Sequence, residues 1–158
     1  MKKINCSENE LRYLPEMNDG LLSIDMSENR LEKFPICPDS VEKLFCEKNS
    51  ISEVNKLPSG LTAFSLRDNK VSKITCQLPP GLLEMDLSEY LLLKIPDLPT
   101  SITTIDISNN RISELPDIPE SVIKLDCSEN MLTEMPDELR KREIELKCHD
   151  NYFDENDE

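Results

Sequence analysis

Tryptophan is missing from this 158-residue sequence, and there are only three glycines, four phenylalanines, three tyrosines and one histidine. So few aromatics mean that any core is aliphatic. So few glycines, beside eleven prolines, point to extended, regular connections rather than loose linkers. Basic residues are also scarce, 18 against 32 acidic ones for a formal net charge of −14. Such a surface repels phosphate backbones and anionic membranes, so a nucleic-acid partner is not expected and a basic protein segment is. No run approaches the roughly 18 consecutive apolar residues of a membrane helix. The N-terminal Lys2-Lys3 pair is not followed by an apolar stretch, so no secretory signal is read there.

What the sequence has in abundance is repetition. Asn recurs at positions 9, 29, 49, 69, 110, 130 and 151, and Tyr90 fills the gap in the series, at spacings of 20 or 21 residues. Around Asn110 the frame is Ile102, Ile105, Ile107, Ile112, Leu115 and Pro116; around Asn29 it is Leu21, Ile24, Met26, Leu31, Phe34 and Pro35. The pattern L-x-x-L-x-L-x-x-N-x-L-x-x-L-P, kept in register through eight copies, is the leucine-rich-repeat signature. The L-x-L core alternates with period 2 and predicts a short strand per turn. One turn cannot bury its apolar face alone, so the turns stack and the strands form a parallel sheet along the inner, concave arc. Each Asn turns inward, where its amide satisfies backbone groups left unpaired as the chain leaves the strand. This ladder of Asn9, Asn29, Asn49, Asn69, Asn110, Asn130 and Asn151 is expected to stiffen the stack.

The outer arc carries P-x-x-P at Pro35–Pro38, Pro96–Pro99 and Pro116–Pro119, while Leu57-Pro58 and Leu78-Pro79 keep only its second half. Proline fixes φ and disfavours helix before it. The convex side is therefore expected to be extended, close to polyproline II.

The expected fold is thus a leucine-rich-repeat solenoid, an α/β-class horseshoe made mostly of strand, over residues 1–153, followed by an acidic disordered tail at 154–158. At its start, Ile4 and Cys6 leave an open sheet edge, a route to self-association. Near its end, Pro136–Ile144 becomes charged and suits a helical turn, after which Leu146, Cys148, Asn151 and Phe153 form a last partial repeat.

The unit L-P-x-L-P-x-x-L-x-x-L-x-x-x-x-N-x-L-x-x-L-P, closest at Leu115–Val122, resembles bacterial effector repeats of the YopM and IpaH type over roughly residues 4–153. The resemblance implies an effector-like scaffold that binds a host protein in the host cytosol and does no chemistry of its own. The family's N-terminal helical hairpin and the ubiquitin-ligase domain of its IpaH branch are not seen in this sequence. A second reading is therefore a substrate-recognition module whose catalytic domain lies elsewhere, and a third is a self-assembling structural solenoid.

Nothing in the sequence supports an enzyme or a cofactor. Cys6, Cys46, Cys127 and Cys148 occupy inward strand sites that other repeats fill with Met26, Leu66, Leu87 or Ile107. They read as buried free thiols in a reducing, cytoplasmic setting rather than as disulfides or metal ligands. His149 is alone, without a nucleophile or a ligand cluster.

The outward strand residues line the concave arc, where repeat proteins commonly bind their partners. Two features depart from a plain polar surface. Phe45, ringed by Lys43, Glu47 and Arg67, is an aromatic in an otherwise polar column, either an exposed anchor or a cover folded over Ala63 and Ser65. Asp86, Asp106 and Asp126 stack into a carboxylate ladder, either a structural or solubilising feature of the recurrent Asp-x-Ser or an attractor for a basic segment or Ca²⁺. Tyr90, with Leu91 and Leu93, is the local break in the repeat. A phenol cannot replace the bonding of an amide. Tyr90 is therefore expected to swing outward or distort its turn, and with Leu91 and Leu93 it is either a tolerated defect of the repeat or a second contact patch.

Overall fold

A computed structural model describes residues 2–153; the acidic tail at 154–158 lies outside the described residues. Ten strands and one short helix follow one another: β1 (Lys3–Asn5), β2 (Ser23–Asp25), β3 (Lys43–Phe45), β4 (Glu53–Val54), β5 (Ala63–Ser65), β6 (Lys73–Ile74), β7 (Glu84–Asp86), β8 (Thr104–Asp106), β9 (Lys124–Asp126), α1 (Asp137–Arg140) and β10 (Glu145–Lys147). Eight of the strands form one parallel sheet in the order β1-β2-β3-β5-β7-β8-β9-β10. The period-2 pattern sets its register. Ile24, Leu44, Phe64, Met85, Ile105 and Leu125 stand opposite one another in successive strands and are at most 3% exposed. A slip of one residue would turn this whole row to solvent.

Each strand is left through the same two devices. The residue before the Asn adopts a left-handed conformation, with φ between 50° and 64° at Glu8, Glu28, Lys48, Asp68, Glu89, Asn109, Glu129 and Asp150. No glycine occupies these sites, so the strain of this conformation is borne in every turn. The turn of the backbone sends the following side chain inward. The Asn amide then ties two turns together. Asn110 Nδ2 donates to the carbonyls of Ile107 and Ser108 in its own turn and to Leu87 in the preceding one, while its Oδ1 accepts from Leu92 N–H at 3.1 Å. Asn29, Asn49, Asn69, Asn130 and Asn151 repeat the pattern, accepting from Leu11, Leu31, Ile51, Ile112 and Leu132. Asn9, in the first turn, bonds only its own Cys6 and Ser7 carbonyls.

The convex side is mostly extended, with one difference from the sequence expectation. β4 and β6 pair in parallel as a second, two-stranded ribbon. The cause is readable in the repeat: the position that is Pro35, Pro96, Pro116 or Pro136 elsewhere is Asn55 and Thr75 in these turns. Thr75 keeps its N–H and donates it to Val54 O at 2.9 Å, a bond that proline cannot make.

The charged stretch after Pro136 forms the single helical turn α1 with Leu139 buried. Its main work is done by Arg142. In earlier turns the hydroxyls of Ser40, Ser101 and Ser121 donate to the carbonyls of Leu21, Leu82 and Ile102. In the last turn Arg142 takes this place, its guanidinium spanning the carbonyls of Ile118, Pro119, Glu120 and Val122 at 2.7–3.2 Å. Hydrogen bonds from a charged donor contribute about 1.5–3 kcal/mol. Arg142→Ala is expected to destabilise the chain by about 2 kcal/mol in denaturant titration, with the loss concentrated in the last two turns. An unchanged midpoint would show that the guanidinium is dispensable.

Candidate functional site

The concave face is built from the two outward residues of each strand and the second residue after it, such as Glu47 after β3 and Arg67 after β5. Register places Asp25, Phe45, Ser65, Asp86, Asp106, Asp126 and Lys147 side by side in one column across seven strands. Neighbours in it are about 4.8 Å apart. One column thus joins the aromatic and the carboxylates singled out from the sequence.

At the N-terminal half, Phe45 is half-buried rather than freely exposed, and Ala63 and Ser65 on the next strand are 8% and 5% exposed. The ring therefore has some packing on its own sheet. Lys43 at its side is exposed and Glu47 half-buried. Arg67 is not a free cation: its Nε and Nη2 donate to Glu89 Oε1 at 2.9 and 2.6 Å. Lys48 pairs with Glu28 in the same manner at 2.7 Å. Both pairs are solvent-exposed and add roughly 0–1 kcal/mol, so a partner's charge can displace them at little cost.

At the C-terminal half, each carboxylate is first of all part of its own strand exit. Asp86 Oδ1 accepts from Ser88 N–H at 2.9 Å and Oγ–H at 2.7 Å, and Asp106 and Asp126 do the same with Ser108 and Ser128. The Asp-x-Ser recurrence thus has a structural job, an Asx-type turn. Asp126 is further neutralised by Lys147, with Nζ 3.1 Å from Oδ2. Lys124, on the same strand as Asp126, pairs with Glu145 at 2.9 Å. Burial would raise the Asp126 pKa, but hydrogen bonds from Ser128 and Lys147 outweigh it and hold the carboxyl below its ordinary value. The second oxygens of Asp86 and Asp106 have no partner among the described residues. No three His, Cys, Asp or Glu side chains converge there in a way that could hold a metal ion.

Of the two outcomes expected at Tyr90, the outward swing does not occur. The side chain joins no surface patch: it is 4% exposed and occupies the inward asparagine position. Leu91 and Leu93, by contrast, are 57% and 62% exposed on the flank. The phenol OH is buried without a hydrogen-bond partner, and burial pushes its pKa far up. Asn69 beside it has its own amide committed to backbone carbonyls and to Ile51 N–H. Val71 N–H, which an asparagine at 90 would accept from, is left without a partner among the described residues. The ring supplies apolar packing where the amide supplied bonds.

All six cysteines are free thiols. Burial pushes the pKa of Cys37 and Cys127 up to about 12 and that of Cys46 well above the ordinary value, so these are protonated packing groups rather than nucleophiles. The His149 ring lies on the surface with Nδ1 2.8 Å from Asp150 Oδ2. Among the described residues no helix is long and apolar enough to cross a membrane.

A stack of turns of 20 or 21 residues with an eight-stranded parallel sheet, an asparagine at the strand exit of every turn but that of Tyr90 and a mostly extended outer arc defines a leucine-rich-repeat solenoid. The Leucine Rich Repeat family matches directly over residues 101–122. Among solved structures, a Shigella effector leucine-rich-repeat domain is similar over 99% of this chain and 72% of its own, at 22% identity and a TM-score of 0.91. YopM from Yersinia pestis, titled a leucine-rich effector protein, is similar over 96% of this chain at 26% identity and a TM-score of 0.84. YopM from Yersinia enterocolitica is similar over 97% at 25% identity and a TM-score of 0.74. This chain spans 43% and 38% of those two YopM chains. No curated protein matches the sequence significantly.

Because its hydroxyl is buried without a partner, Tyr90→Phe is expected to stabilise the chain by about 1–2 kcal/mol in denaturant titration. Destabilisation would mean that the hydroxyl is satisfied in solution.

Proposed function

We propose that this chain is a protein-recognition scaffold whose concave face takes one segment of a partner protein. The observation that carries the reading is the single in-register column running from Phe45 through Ser65 to Asp86, Asp106 and Asp126. Phe45, with Lys43, Glu47 and Arg67 around it, offers an apolar anchor inside a polar rim. Two strand spacings further on, about 10 Å away, the free oxygens of Asp86 and Asp106 suit a lysine or arginine of the same segment. Lys147 on Asp126 is an example, within the chain, of the contact a partner would make. Leu91 and Leu93 on the flank extend the apolar part of the surface.

The likeness to Shigella and Yersinia effector domains supports a partner belonging to a host cell and a place of action in the host cytosol. The six unpaired cysteines suit a reducing compartment. A recognition module serving a separate ubiquitin ligase would use the same face. Pairing of two chains through β1 is a second reading: all three of its residues are exposed, Ile4 among them at 38%.

The test is affinity capture from eukaryotic lysate with the wild type and a Phe45→Ala/Arg67→Glu variant. A partner held by the wild type should bind the variant about 30-fold more weakly, the loss of a hot spot of about 2 kcal/mol. Equal capture by both would overturn the concave reading.

A further inference from the structure

The convex side carries an unpaired strand edge, and it stands in a groove. In the parallel β4–β6 ribbon, Thr75 donates its N–H to Val54 O, and Val54 stands in register with Ile74. In such a ladder the backbone groups of alternate residues point to opposite sides of a strand. Those of Lys73 and Thr75 face β4, so the N–H and C=O of Ile74 face away from it, toward the next turn. That turn cannot continue the ribbon. Its corresponding segment is Ile95-Pro96, and Pro96 has no N–H to give. Among the described residues, Ile74 N–H and C=O have no partner.

The space beyond this edge is open. A cavity of about 640 Å³ lies between the two turns, lined by Ile74, Thr75, Cys76, Ile95, Asp97 and Leu98 among others. The outer edge of β4, against Pro35 of the preceding turn, adjoins a cavity of only about 30 Å³. The difference coincides with a longer turn: Asn69 and Tyr90 are 21 residues apart where most turns have 20, and the groove wall includes Gln77, Leu78 and Pro80 from the lengthened stretch.

We propose that this groove is a second binding site, which receives an extended peptide segment of a partner protein by strand addition to β6. An unpaired N–H and C=O on an open strand edge are left to water in the free chain, and another extended backbone complements both at once. The lining selects its side chains. Ile74, Ile95 and Leu98 offer an apolar floor for one β-branched or aliphatic residue. The single charged residue in the lining is Asp97, which suits a lysine or arginine beside it. The occupant is therefore an extended, proline-poor segment alternating aliphatic and basic residues. This site lies on the opposite face from the Phe45 column, so it stands or falls independently of the concave reading.

The probe is a synthetic peptide of alternating valine and lysine, compared with the same peptide N-methylated on alternate backbone nitrogens. Binding is followed by hydrogen exchange of the full chain. The variants are Ile74→Pro, which removes the free N–H but no bond of the native fold, and Asp97→Lys. The unmodified peptide should bind and protect the amides of Ile74–Cys76. N-methylation should weaken it by about tenfold, the loss of one backbone hydrogen bond, and Ile74→Pro by at least that, since it also removes part of the apolar floor. Asp97→Lys should weaken it by a similar factor. The proposal is overturned by equal binding of the N-methylated peptide, by protection confined to the concave strands, by a shift to a dimer of this chain on titration, or by no binding at all.

Discussion

One primary amide per turn holds this molecule together. A 20-residue turn makes a three-residue strand and little other regular structure, so almost all of its backbone polar groups must find partners elsewhere. The inward asparagine supplies them in both directions. Its donors close its own turn at the strand exit and reach the carbonyl of the turn before, and its acceptor takes an N–H on the descending side. Aliphatic side chains give the stack its gain on leaving water, but they are non-directional. The amides fix how one turn sits on the next, and through that the register of the concave columns. The left-handed residue before each asparagine is part of the same device, since it aims the amide and is filled by Glu, Asp, Lys or Asn rather than glycine. The strain it carries is tolerable because the amide's bonds are formed in a buried place where leaving them unmade would cost more.

That dependence explains why the irregular features collect between the fourth and fifth turns. Tyr90 replaces the amide with a ring, the turn before it is a residue longer, and Asp68 N–H reaches Ser88 O at a stretched 3.4 Å where its equivalents measure 2.8–3.0 Å. The convex ribbon starts and ends in the third and fourth turns, and the open groove follows it. The concave column nevertheless crosses this joint without a break, Ser65 standing opposite Asp86. The irregularity falls in the interior at Tyr90, at one strand exit and on the outer arc, while the surface read as functional stays continuous.

Much of this was legible in the sequence, because both governing signals are periodic. The L-x-L alternation and the asparagine spacing set strand positions, sheet order, the inward cysteines and the membership of every concave column. What escaped depended on contacts between turns. The ion pairs of Arg67 with Glu89 and Lys147 with Asp126 join residues about a turn apart, and several other charges stood equally near in the pattern. Arg142 sat in a charged run whose sequence suggested a helical turn, with nothing to mark four carbonyls as its target. The β4–β6 ribbon had a signal, the absence of proline at 55 and 75, but it is visible only once proline is understood as what keeps the other turns unpaired. For Tyr90 the sequence leaves the outward swing open as one of two outcomes, because its lost bonding is weighed beside its apolar area; the ring stays inward and the bond from Asp68 N–H to Ser88 O is stretched to 3.4 Å. In a core this short of aromatics, burying the ring outweighs an unmet hydroxyl.

The most direct test of the amide ladder is native-state hydrogen exchange at its acceptor-side N–H groups. Leu31, Ile51, Leu92 and Ile112 donate to asparagines 49, 69, 110 and 130. Val71 is equally buried in the same column, 0% exposed, but faces Tyr90. The Val71 amide should exchange about tenfold faster or more than those four, the worth of one missing hydrogen bond. Protection of Val71 equal to theirs would contradict the account, because apolar packing alone would then be holding the turns in place.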